Sequence, residues 1–231
     1  MTTLYTALGR YEIRKTKNGR HPVVVLHRRE HCLSIQEMII WSSLMWSVKT
    51  YDELKEQFYQ KAHETCLPDG NDFDYFLARL KQVGIITYGK SETAIEALCL
   101  LTARLYVVPL NEKMWAKIVA FFHLTFKRRI PFSVTKKIFS KPKLTSEELA
   151  LLALVRQALV TTEELVQCVD SKSTDISTEG KLMDALYPDG IPNPGTEYRV
   201  VSLNKIPITQ TVVNLYLRKQ VLFEPRNILC K

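Results

Sequence analysis

The chain has 231 residues, 46% of them apolar and 24% charged, which are the values of a folded protein and exclude a disordered one. That length suffices for two small domains, each with its own core. No stretch approaches the roughly 18 uninterrupted apolar residues of a membrane span; the nearest, Met114 to Phe126, is broken by Lys117 and His123. The N-terminus lacks the basic-then-apolar plan of a signal peptide. Five scattered cysteines (Cys32, Cys66, Cys99, Cys168, Cys230), with no C-x-x-C, read as reduced thiols of a cytosolic protein. His31, Cys32, His63 and Cys66 match no zinc spacing, so no metal and no cofactor is expected.

The chain opens with strands. Tyr11 to Arg14 and Pro22 to His27 flank Lys17-Asn18-Gly19-Arg20, and Asn-Gly is a strong hairpin signal. Next comes a helical unit that recurs. Leu33 to Phe58 lies without a gap over Leu144 to Val169, with identities at Leu33/Leu144, Glu37/Glu148, Thr50/Thr161, Glu53/Glu164 and Leu54/Leu165. Apolar positions register as well: Met38/Leu149, Trp41/Leu152, Leu44/Val155, Val48/Leu159 and Phe58/Val169. Each copy carries two Ser/Thr-x-x-Glu boxes, at Ser34 and Thr50, then at Thr145 and Thr161. In such a box the hydroxyl accepts from a first-turn amide and the carboxylate reaches back, so each marks a helix start. Two starts 16 residues apart imply a short helix, a turn and a second helix.

Pro-Asp-Gly turns follow in both copies, at Pro68 to Gly70 and Pro188 to Gly190. A third helix is expected over Phe73 to Val83, stopped by Gly84, with a strand at Ile85 to Tyr88. Its buried stripe would be Phe73, Phe76, Leu77 and Leu80. Ser91 is expected to cap a helix to about Val107, and Asn111 another over Glu112 to Arg129; together they form a helical bridge that could also serve as a homodimer face through residues 91–129. The second copy adds a helix at Thr178 to Leu186 and a Pro/Gly loop at Asp189 to Thr196. Its third helix spans about Thr209 to Gln220, with a strand at Val221 to Glu224. Three helices closed by a strand describe a winged-helix shape. The expected architecture is therefore mainly α with small β elements: two winged-helix-like modules, residues 1–90 and 132–231, joined by a helical bridge over 91–131.

Charge is uneven. Between Glu112 and Glu147 lie Lys113, Lys117, Lys127, Arg128, Arg129, Lys136, Lys137, Lys141 and Lys143 with no acid; removing those nine from 32 leaves 23 basic against 24 acidic residues elsewhere. A clustered positive field is the footprint of a phosphate-binding protein. In the first copy Asp72 and Asp74 open the third helix and would repel phosphates, and Lys90 runs straight into Ser91, leaving no room for a wing. In the second, Thr209, Gln210, Thr211, Asn214, Arg218 and Lys219 are expected on the outer face, with Val212, Val213, Tyr216 and Leu217 inward and Arg226 at a wing tip. Asn and Gln pair with adenine, Arg and Lys with guanine or phosphate. Lys127, Arg128, Arg129, Lys136 and Lys137 would hold the backbone of double-stranded DNA.

Residues 10–89 resemble the PqqD-like peptide-recognition fold. The resemblance rests on strands first, then L-S-x-x-E-x-x-I-W (Leu33 to Trp41), T-x-x-E-L (Thr50 to Leu54) and F-L-x-x-L-x-x-x-G-I-I (Phe76 to Ile86). It implies that a leader peptide adds as a strand to a sheet edge and lies against the third helix, which would implicate Val23, Val25 and His27 together with Tyr75 and Arg79. No Gly-rich phosphate loop, G-x-S-x-G or H-E-x-x-H is present, so no enzyme is expected. The leading expectation is a DNA-binding transcriptional regulator. A peptide- or protein-recognition adaptor and a replication-initiator-type DNA binder remain as alternatives.

Overall fold

The computed structural model describes residues 1–16, 19–65, 72–110, 143–188 and 204–226. The first half runs β1 (Thr2–Ala7), β2 (Arg10–Thr16), β3 (Gly19–Leu26), β4 (Arg29–Cys32), α1 (Ile35–Leu44), β5 (Lys49–Thr50), α2 (Tyr51–Glu64), α3 (Phe73–Val83), β6 (Ile86–Ser91) and α4 (Ala94–Thr102). The second runs β7 (Leu105–Pro109), α5 (Ser146–Val155), α6 (Thr162–Asp170), α7 (Glu179–Leu186), α8 (Lys205–Leu217) and β8 (Val221–Pro225). Eight helices and eight strands among the described residues make the fold mixed α/β, richer in strand than expected.

All four capping boxes form. Ser34 N–H donates to Glu37 at 2.8 Å and Glu37 N–H to Ser34 Oγ at 3.2 Å; Thr50/Glu53, Thr145/Glu148 and Thr161/Glu164 repeat the exchange. These local bonds place the starts of α1, α2, α5 and α6 where the sequence pattern puts them.

The strands close the sheets over long distances. β1 lies between β5 and β6, antiparallel to both, so Leu4 stands opposite Thr50 on one side and Gly89 on the other. In the second half β7 does the same: Tyr106 stands opposite Thr161 and Glu224. Thr50 and Thr161 are the matched helix caps, so the repeat extends to strands whose sequences, TTLYTA and LYVVP, share no pattern. The third helices also end alike. Gly84 and Lys219 take left-handed φ values of 80° and 59°, and the next amide reaches back into the helix, Ile85 N–H to Leu80 O and Gln220 N–H to Leu215 O.

Residues 91–110 depart from expectation. Thr93, not Ser91, caps α4, which ends at Thr102, and the aromatic and β-branched run Leu105 to Val108 is strand. α4 lies on the β1–β6 sheet at Gly89, where an added Cβ would stand 2.1 Å from Ala97 O and 2.6 Å from Leu101 N. One contiguous core spans both halves, from Tyr5, Trp41 and Phe58 to Leu165, Tyr216 and Phe223. The expected helix Glu112 to Arg129, the turn Leu67 to Gly70, and the loop Asp189 to Thr196 lie outside the described residues.

Candidate recognition surface

Of the helix expected to read bases, only a narrow stripe faces out. α8 packs against α4, α5 and α6. Thr209 and Thr211 are buried, which corrects their placement on the outer face. The Thr209 hydroxyl meets Cys99 Sγ at 3.7 Å, and the Thr211 hydroxyl donates to Pro207 O, one turn back, at 2.9 Å. A hydroxyl satisfied by its own helix or a neighbouring thiol needs no water, so threonine is tolerated in this core. Leu217 is 45% exposed and Leu215 takes its inward place beside Val212, Val213 and Tyr216. Gln210, Asn214 and Lys219 are exposed. Arg218 is engaged, donating to Glu148 at 3.1 Å and to Lys143 O. Arg226 lies 3.8 Å from Glu164. Lys127, Arg128, Arg129, Lys136 and Lys137 lie outside the described residues.

What α8 does bind is the first half of the chain. The Tyr216 hydroxyl, fully buried, accepts from Trp46 N–H at 3.0 Å and Thr6 Oγ1 at 3.1 Å, with Ala7 O and Leu44 O each 3.4 Å away. Its ring stacks on Phe223 at 4.5 Å and tilts against Trp46 at 5.3 Å. Burial pushes the Tyr216 phenol above its usual range, and the bonds from Thr6 and Trp46 offset part of that. Nothing in the sequence separated this tyrosine from an ordinary core aromatic, because its partners lie more than 150 positions away.

The strands before α1 form a second surface. β3 is the central strand of the β2–β3–β4 meander, hydrogen-bonded on both sides. Val23 and Val25 are buried in it, so neither offers an edge to an added strand; this corrects their assignment. The edge strands of this sheet are β2 and β4, and β4 is the one followed directly by α1. His27 and Arg28 make a two-residue turn between β3 and β4, flanked by the Leu26–Arg29 pair. In such a hairpin the flanking pair exchanges both bonds, so Leu26–Arg29 and Val24–His31 are bonded pairs, and Glu30 and Cys32 turn N–H and C=O outward.

An ion pair links α3 to the start of α1. The Glu37 carboxylate takes Ser34 N–H, two residues beyond β4, and the same group pairs with Arg79 Nε at 3.1 Å. Glu37 is 2% exposed while Arg79 is open on its other side. Tyr75, one turn earlier on α3, is 57% exposed. The structure thus ties Arg79, through Glu37, to the Ser34 amide just past β4. Glu148 is the equivalent buried carboxylate in the second half, and Arg218 is its partner from α8. The doubled Glu was legible as a cap, but its second role as an anchor for the third helix was not. No helix among the described residues is long and apolar enough to cross a membrane, and among them no group of His, Cys, Asp or Glu could hold a metal. Neither a protein-family model, nor a curated protein, nor a solved structure matches the chain.

Proposed function

We propose that the chain is a cytosolic peptide-recognition adaptor built from two winged-helix-like modules, in which an extended peptide adds to the open edge of β4 beside α3. The observation that carries this reading is the β4 edge itself, followed at once by α1 and joined through Glu37 to Arg79 of α3. The order α1–β5–α2–α3–β6 is that of a winged helix, with β1 in the place of the wing's return strand, and β7 stands likewise in the second copy. Outward main-chain groups at Glu30 and Cys32 supply affinity; Tyr75 and Arg79 supply selectivity.

Selection of a displayed decapeptide library tests this, with counter-selection on Glu30→Pro and Cys32→Pro. Proline deletes an outward N–H and leaves the β3-facing bonds intact. Selected peptides should bind each variant about tenfold more weakly, the loss expected for one or two main-chain bonds, with unchanged far-UV circular dichroism. Peptides that bind both variants as tightly as the wild type would defeat the reading, as would a library that yields none.

DNA binding stands as a second reading, favoured by the nine cations between Glu112 and Glu147. Anisotropy of a labelled random duplex should then fall steeply with salt and weaken when Lys127, Arg128 and Arg129 are changed to alanine.

A further inference from the structure

We infer that a cleft at the seam of the two halves binds a carboxylate of the recognised peptide, through Arg10 and Arg28; the inference rests on the peptide reading above. The cleft measures about 390 Å³ and is lined by Arg10, Val25, His27, Arg28 and Glu224. Four of these come from the β2–β3–β4 meander and Glu224 from β8.

Three features show a built place rather than a gap between surfaces. The first is the turn. His27 and Arg28 both have positive φ, 49° and 63°, where such a turn favours Asn-Gly. Each side chain held there costs about 1–2 kcal/mol, and strain of this kind concentrates at ligand clamps. The second is an anchor. His27 Nε2 lies 3.1 Å from Pro225 O, so the imidazole donates across the seam and fixes the turn against β8. The third is close approach at Gly9. Its φ is 87°, and an added Cβ would stand 2.8 Å from Val25 O, so only glycine lets the chain enter β2 with Arg10 directly across from Val25.

The charges then select the ligand. Among the described residues neither Arg10 nor Arg28 has an acidic partner, whereas Arg14, Arg79 and Arg218 each have one. A planar guanidinium fork fits a carboxylate with two parallel bonds. Glu224 on the same wall offsets one of the two guanidinium charges. That matches one carboxylate and disfavours a nucleic-acid backbone, which needs a run of cations. The turn leads directly into Arg29, the first residue of β4, so a peptide leaving that edge passes the cleft.

The test uses the full chain and two labelled probe peptides, one alternating Glu and Ala and its Gln counterpart, read by anisotropy. The Glu peptide should bind at least tenfold more tightly than the Gln peptide. Arg10→Ala and Arg28→Ala should each abolish most of that difference, while Arg156→Ala, an exposed arginine at the end of α5, should keep it. Equal binding of the two peptides, or equal loss in all three variants, would overturn the inference while leaving addition at β4 standing if the proline variants still lose both peptides. Displacement of the Glu peptide by millimolar inorganic phosphate but not by glutarate would also overturn it, in favour of a phosphate site.

Discussion

Tyr216→Phe isolates the seam. The change keeps the ring, its stack on Phe223 and its volume, and removes one oxygen from a fully buried position. Thr6 keeps a partner, since its hydroxyl also reaches Ser47 O at 2.9 Å. Trp46 N–H does not; Tyr216 is the acceptor it has among the described residues. An orphaned amide in such a place costs about 1–3 kcal/mol, and the loss of the phenol's own donation adds a little more. We expect a destabilisation of about 2 kcal/mol, which for a chain of this size lowers Tm by roughly 4–8 °C. Thermal unfolding followed by far-UV circular dichroism reads it, with a single transition retained because the core is continuous. A double-mutant cycle with Thr6→Val should show coupling above about 0.5 kcal/mol. An unchanged Tm in Tyr216→Phe, or full additivity in the cycle, would mean that the two halves are not held by this hydroxyl.

Gly89→Ala should be destabilising by about 3 kcal/mol in urea titration, because its Cβ would press on backbone atoms of α4 at 2.1 and 2.6 Å and neither strand nor helix can yield cheaply. Burial, with help from Glu164, pushes the Cys168 thiol from 9.0 up to about 11. Its contribution to stability is therefore full below pH 9 and lost as the pH rises to 11, where the unfolded chain releases the proton first. Urea midpoints of Cys168→Ala should fall less than those of the wild type across that window, and parallel curves would show that another group governs it.

Helix starts were legible because their chemistry is local: a hydroxyl and a carboxylate three residues apart satisfy each other without help from the rest of the chain. The strand that closes each sheet was not. Leu4 finds its partners 46 and 85 positions away, and nothing in Thr2–Ala7 announces them. The same limit explains Val23 and Val25. An apolar run marks a strand but not whether it lies at an edge or in the centre, and the short polar Arg29–Cys32 segment that covers β3 carries no strand signal. Thr209 and Thr211 misled for a different reason. Their polarity suggests solvent, yet their hydroxyls are satisfied within the fold.

The divergence of the two third helices can be traced to one pair of positions. Counted from the left-handed stops Gly84 and Lys219, Lys81 corresponds to Tyr216, and Tyr88 to Phe223. In the first copy the pair sits at the surface, with the Lys81 ammonium 4.6 Å from the ring centre of the half-exposed Tyr88. In the second copy the same two positions are a buried aromatic stack. A lysine over a tyrosine keeps its charge in water while its stem covers the ring, so that face cannot be buried against another module without stranding the charge. A tyrosine over a phenylalanine removes this obstacle and leaves one hydroxyl, which the first copy satisfies from Trp46 and Thr6. Two side-chain choices therefore turn the second copy's third helix into the docking face of the seam. They also leave the first copy's third helix, with Tyr75 and Arg79, as the one that keeps an exposed outer face.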